Sequence, residues 1–213
     1  MRRTALSFRG PRIALVFALS LVGAARAETL THARVGFTAE RILFLDGHRY
    51  VGRMWYRPGE ERQEQQLAGF TPIFILSDKS AFADIVLPQL HTVAELPLPK
   101  GFSLLRARAL LGRPLAHQEV DGMAATVYRV DASSAVGRAR GRVWLSADAI
   151  PLKAEGRFVS PGGKVTRIRW LLREVRIGPQ AASLFTVPKG FARLTPQALA
   201  PLLGLRPARK APR

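Results

Sequence analysis

The chain has 213 residues, 47% of them hydrophobic, no cysteine, and 33 lysines and arginines against 15 acidic residues. That apolar content can bury a sizeable core, most simply in one domain, which excludes a disordered chain. The lack of cysteine excludes a disulfide framework, a thiolate nucleophile and a cysteine-based metal site, while a net charge of +18 favours anionic partners such as phospholipid headgroups or nucleic acid.

Residues 1–27 read as a cleaved signal peptide. A basic start (Met1-Arg2-Arg3) precedes an apolar run from Ile13 to Leu21, and Ala25-Arg26-Ala27 forms an A-x-A cleavage site. The run is short of the roughly 20 apolar residues of a transmembrane helix. Export to the periplasm is therefore expected. No cysteine follows the cleavage site, so a lipid anchor is not. Removing this segment takes away five arginines and no acid, leaving 28 basic residues against 15 acidic ones.

Val35 to Tyr56 reads as a β-hairpin. Asp46-Gly47 suits a two-residue type I′ turn, because glycine takes positive φ without steric cost. Closing the turn there pairs Leu45 with His48, Leu43 with Tyr50, Arg41 with Gly52, Ala39 with Met54 and Phe37 with Tyr56. One face is thus mostly apolar. The other carries Ile42 against Val51, Glu40 against Arg53 and Thr38 against Trp55, and a one-residue slip would exchange the two faces.

Arg57-Pro58-Gly59 breaks the strand, and Glu60 to Gln66, polar on both faces, is a strand only by context. Strand signals follow at 72–76, 82–87 and 92–96, limited by prolines that cannot donate to a central ladder. Leu104, Leu105, Ala107, Leu110 and Leu111 recur at helical spacing, which predicts a helix over 103–111 with Gly112-Arg113-Pro114 as its stop. A second Asp-Gly turn at Asp121-Gly122 joins strands over 116–120 and 124–130. Strands over 141–146, 152–159 and 165–177 complete about ten, nearly all joined by short turns, so an antiparallel meander is expected. In the last of them Ile168, Trp170 and Leu172 share one face, and Arg167, Arg169 and Arg173 the other. A helical turn at 181–185 and a short helix from Thr195 to Leu203, with Pro196 at its first position, precede a basic flexible tail, 205–213. The tail reads as solvated, a lipid-headgroup clamp being the alternative. The mature domain is then 28–204.

Catalytic chemistry finds little support. The histidines (His32, His48, His91, His117) lack metal-ligand spacing, and no nucleophile elbow, P-loop or dinucleotide fingerprint occurs. Glu60, Glu61 and Glu64 alternate with Arg62 and glutamines, which reads as a solvated strand edge. The group Arg142, Trp144, Arg167, Arg169 and Trp170 has the composition of a nucleic-acid-binding sheet, but export argues against that partner. No enzyme, metal or cofactor is expected. What remains is a mainly β domain with a buried face that is either core or a ligand cavity lined by Phe37, Met54, Tyr56, Ile73, Ile75, Trp144 and Trp170.

The order of short motifs then resembles the LolA-like outer-membrane lipoprotein-sorting superfamily. These are Val35-x-Phe37-x-Ala39-Glu40-Arg41, Asp46-Gly47, Met54-Trp55-Tyr56-Arg57-Pro58, Leu96-Pro97-Leu98, Trp144-Leu145-Ser146 with Pro151-Leu152-Lys153, and Ile177-Gly178-Pro179-Gln180 with Leu184-Phe185 through Phe191. The resemblance covers most of the mature chain. It implies a curved antiparallel sheet forming a half-open β-barrel (α+β), a few covering helices and a cavity for acyl chains. It also implies a gating role for Arg57, since carriers of this superfamily have an Arg-Pro pair there. Arg41 is the candidate headgroup contact. Glu28 to Arg34 is too short for the carriers' long amphipathic lid helix. The expected function is a periplasmic carrier of a lipid or acylated protein, and the alternative is an interaction or sensor domain without lipid cargo. An anionic membrane surface and an envelope protein are the other expected partners.

Overall fold

The computed structural model describes residues 27–66, 69–97, 110–134 and 137–202. The expected signal peptide, the basic tail and most of the helix expected over 103–111 lie outside these residues. Thirteen strands form one curved, unclosed sheet. They are β1 (Glu28–Leu30), β2 (Phe37–Leu45), β3 (His48–Arg57), β4 (Glu60–Gln65), β5 (Ile73–Ser77), β6 (Phe82–Leu87), β7 (Thr92–Pro97), β8 (Leu110–Val120), β9 (Met123–Ser134), β10 (Gly137–Leu145), β11 (Pro151–Val159), β12 (Val165–Ile177) and β13 (Ala192–Leu194). Their order is β1-β8-β9-β10-β11-β12-β2-β3-β4-β5-β6-β7-β13. Two meanders, β2–β7 and β8–β12, therefore join edge to edge through antiparallel β2 and β12. Among the described residues only β13 pairs in parallel, with β7.

The first hairpin has the register its turn chemistry predicts, from Leu45 opposite His48 to Phe37 opposite Tyr56. Asp46 and Gly47 have φ of 47° and 90°, as a type I′ turn requires, and Asp121 and Gly122 repeat this at 50° and 78°. Strand β4, wholly polar in sequence, forms because β3 and β5 pair with it on both sides. Local propensity is overridden there by ladder hydrogen bonds.

Two expectations are corrected. Gly112, Arg113 and Pro114 do not stop a helix: with Leu110 and Leu111 they belong to β8, where a register shift between Pro114 and Ala116 absorbs the proline's missing donor. The segment after Phe191 is not only a connection to a helix, since 192–194 add strand β13. The C-terminal helix α1 (Pro196–Leu202) is present, and the Thr195 hydroxyl accepts from the Ala198 amide at 3.3 Å.

Among the described residues, three buried clusters form the core. Phe37, Met54, Tyr56, Trp144, Ile150, Leu152 and Leu172 belong to the largest. Ile73, Ile75, Val86 and Val93 pack under Phe185, with Leu184, Val187 and Phe191 against them. Leu199 of α1 covers Ile85, Leu87 and Ala94. Full burial of one such side chain stabilises by about 1.5–3 kcal/mol.

Candidate functional site

Register decides which predicted residues can meet. Phe37, Arg41, Met54 and Tyr56 share a face with Glu61, Gln63 and Gln65 of β4, because Gln65, Gln63 and Glu61 stand opposite Gly52, Met54 and Tyr56. On the far side of β2, Leu172 and Trp170 stand opposite Arg41 and Leu43 and so belong to the same face. Ile73 and Ile75 do not. They follow Arg62 and Glu64 onto the opposite face and join the second cluster. Trp144 shares the first cluster with Phe37, Met54 and Tyr56, and its Nε1 donates to Gln118 Oε1 at 2.7 Å.

The apolar wall has a polar centre. Arg41 is 7% exposed and Glu61 4%, so the carboxylates of β4 are not all a solvated edge as the sequence suggests. Arg41 Nη2 donates to Gln65 Oε1 at 2.7 Å, and Gln65 Nε2 donates to the Val51 carbonyl at 2.9 Å. Gln63 Nε2 donates to Glu61. Burial pushes the Glu61 carboxyl above its ordinary range, against the opposing pull of that hydrogen bond and of the Arg41 charge. Burial also lowers Arg41, against the attraction of Glu61. Two donors on this face, Arg41 Nε and Trp170 Nε1, are buried without a partner. Nearby, the Phe37 and Tyr56 rings stack with centroids 5.2 Å apart, and the Tyr56 hydroxyl donates to the Ala33 carbonyl at 3.0 Å. This is a packed wall with two unmet donors in it.

Arg57, the residue with a gating role in the resemblance, lies at the end of β3. It pairs with Glu60 and places its guanidinium 5.0 Å from the centroid of the Phe185 ring. Arg62, read from the sequence as part of a solvated strand edge, acts beside it: Nη1 donates to the Leu184 carbonyl at 3.1 Å while Nη2 holds Glu64 at 2.5 Å. The two arginines fasten the 182–185 turn to the sheet. Alternation along β3 and β4 puts both on one face, and that period was the available signal.

The second region is an open groove of about 890 Å³, lined by Arg129, Asp131, Arg140, Arg142, Glu155, Arg157 and Arg167 among others. Strand pairing builds it from two rows on one face. Arg113, Arg129, Arg142, Glu155 and Arg169 stand side by side on β8 to β12, and the neighbouring row is Asp131, Arg140, Arg157 and Arg167. Asp131 accepts from Arg138 Nε and Nη2 and from Arg140 Nε, all at 2.8 Å. Those bonds hold its carboxyl below the usual range. Glu155 pairs with Arg142 and, at 3.5 Å, with Lys153. Arg169 lies 4.1 Å from the Phe44 ring centroid. Between these side chains the floor is backbone: Gly141 and Gly156 face each other, and a Cβ on either would strike a carbonyl oxygen of the other strand. The sequence shows alternate arginines within β10 (Arg138, Arg140 and Arg142) and β12 (Arg167 and Arg169), but not that these strands and Arg129 and Arg157 stand side by side, which the pairing of distant segments decides.

No protein-family model matches this sequence, and no curated protein does. Among solved structures the chain is similar to MucB, with a TM-score of 0.49 at 16% identity over 76% of this chain and 60% of that one. For the complex of MucA and MucB from Pseudomonas aeruginosa the TM-score is 0.46 at 18% identity, over 73% of this chain and 56% of that one. A LolA superfamily protein from Nitrosomonas europaea gives 0.40 at 10% identity, over 74% of this chain and 93% of that one. The chain thus spans less than two thirds of MucB's length.

Proposed function

We propose that this chain is a non-catalytic binding module of the cell envelope, acting in the periplasm, whose partner is anionic and docks on the arginine rows of β8 to β12. One observation carries the reading. An open groove among the described residues is lined by guanidinium groups, whereas the apolar residues expected to line a lipid cavity, Phe37, Met54, Tyr56 and Trp144, are packed in one buried cluster. A side chain buried to this extent has its contacts already made, and an acyl chain would have to displace them. Protein taken from the periplasm and examined by native mass spectrometry and lipid extraction tests this. The expected result is a lipid-free protein that is retained on an anionic matrix at low salt. A stoichiometric co-purifying lipid would overturn it.

A lipid-like cargo stays as a second reading for a specific reason. Arg41 Nε and Trp170 Nε1 are two buried donors on one face, beside an apolar wall, and buried donors are normally satisfied. An amphiphile whose oxygen took those donors would make Arg41 the headgroup contact and the wall its acyl surface. In that reading Arg57 gates entry by releasing Phe185 and Glu60. The similarity to MucB, whose structure with MucA is known, is compatible with a protein partner here.

A further inference from the structure

We infer that the arginine rows are a docking surface for an extended, carboxylate-rich segment of a partner protein. The inference rests on the anionic-partner reading and names the chemistry of that partner.

The first support is cost. Direct cross-strand neighbours of like charge destabilise a sheet, yet Arg129 stands between Arg113 and Arg142, and Arg157 between Arg140 and Arg167. An anion bound between the rows would remove that repulsion. The second support is what already sits there. Asp131 takes a forked pair of bonds from Arg138 and a third from Arg140, and Glu155 is held by Arg142. Arg138, Arg140 and Arg142 are therefore neutralised in cis by carboxylates, Arg138 in the planar two-pronged geometry that guanidinium groups favour. Arg169 rests on the Phe44 ring, and Arg113, Arg129, Arg157 and Arg167 have no carboxylate partner among the described residues.

Spacing selects the form of the ligand. Arginines at alternate positions of one strand are about 6.5–7 Å apart, and an extended chain with acidic residues at every second position repeats its carboxylates at the same interval. Such a segment lying along β12 would meet one arginine of each row, Arg167 and Arg169, with Arg157 beside them on β11. Leu115, exposed at 44% at the groove, offers apolar contact to its other side chains, and arginine is enriched at protein interfaces. A bilayer fits less well, because its phosphates lie in a plane and these rows follow a curved sheet.

Fluorescence anisotropy of the purified protein at low salt tests the inference. The probe is a labelled peptide alternating glutamate and serine over about twelve residues, with phosphatidylglycerol vesicles and polyphosphate as competing anions. The peptide is expected to bind more tightly than either competitor, and added salt to weaken it. Replacing Arg129, Arg157 and Arg167 together by glutamine should weaken it about tenfold or more, and replacing them by lysine should restore only part of that loss, since a point charge lacks the fork. Asp131→Asn, which releases Arg138 and Arg140, should tighten binding, a gain that misfolding cannot produce. Equal binding by the glutamine variant, full rescue by lysine, or no gain in Asp131→Asn would overturn the inference. Tight binding of vesicles or polyphosphate without the peptide would overturn it while leaving the anionic-partner reading intact. If no anionic probe binds, both fall.

Discussion

The molecule places arginine in two opposite settings. Arg41 is buried on the inner side of the first hairpin, tied to Gln65 and held near an equally buried Glu61. Arg129, Arg157 and Arg167 stand in water on the rows of β9, β11 and β12. In the first setting the charge has been taken out of solvent and must be repaid by neighbours. In the second it keeps its hydration and is opposed only by its own kind. A buried arginine is thus a constraint on the fold, whereas an exposed array retains its capacity to bind anions, because its charges are still hydrated and unpaired.

The largest expected effect breaks the comparison on the buried side. Phe37→Ala should lower unfolding free energy by about 3–5 kcal/mol in urea titrations, while Arg157→Gln should change it by no more than about 0.5 kcal/mol. Equal losses would mean that the rows are structural. Next, Gly156→Ala puts a methyl group against the Arg140 carbonyl; the predicted cost is about 1–3 kcal/mol, together with weaker anion binding as the groove floor deforms. A variant with wild-type melting and affinity would show that the close approach of β10 and β11 is dispensable.

Smaller effects sharpen the picture. Burial raises the Glu61 carboxyl above its ordinary range, so the folded state holds that proton more readily than the unfolded chain. Stability is therefore lost as pH rises through the carboxylate range and the loss persists at neutral pH. Glu61→Gln should be more stable than the parent at neutral pH, and thermal melts of the two should converge once pH falls below the ordinary carboxylate value. A gap that instead widens in acid would reverse the assignment. Last, Arg57→Leu removes the Glu60 pair and the contact with Phe185. Both are partly exposed, so global stability should fall by about 1 kcal/mol or less. Limited proteolysis should nevertheless cut the 182–191 segment faster, and unchanged protection there would remove Arg57 as a latch.

Much of the fold was legible in the sequence where turn chemistry is local. Asp46-Gly47 set the hairpin register residue by residue, and the limits of β6 and β12 follow from composition alone. The polar strand β4 was legible only as a possibility, since its ladder is supplied by its neighbours. At Gly112 to Pro114, residues that locally favour a break lie inside β8, because a bulge accommodates proline there. Of the expected cavity wall, Phe37, Met54, Tyr56 and Trp144 lie in one buried cluster, whereas Ile73 and Ile75 lie on the opposite face in another. The separation has a simple cause: strand parity is carried across the sheet through β4, whose polar sequence gave no sign of which residues point inward.

By itself, then, the sequence determined the class of the domain, the first hairpin with its register, the second Asp-Gly turn and the excess of positive charge. Each depends on one residue and its near neighbours in the chain. Only the tertiary structure decided that β2 pairs with β12, that Arg41 and Glu61 are buried together, and that arginines from five strands line up in two rows with Glu155 and Asp131 among them. These depend on registers between distant segments, and a register is fixed by the packing of whole faces rather than by any short stretch of residues.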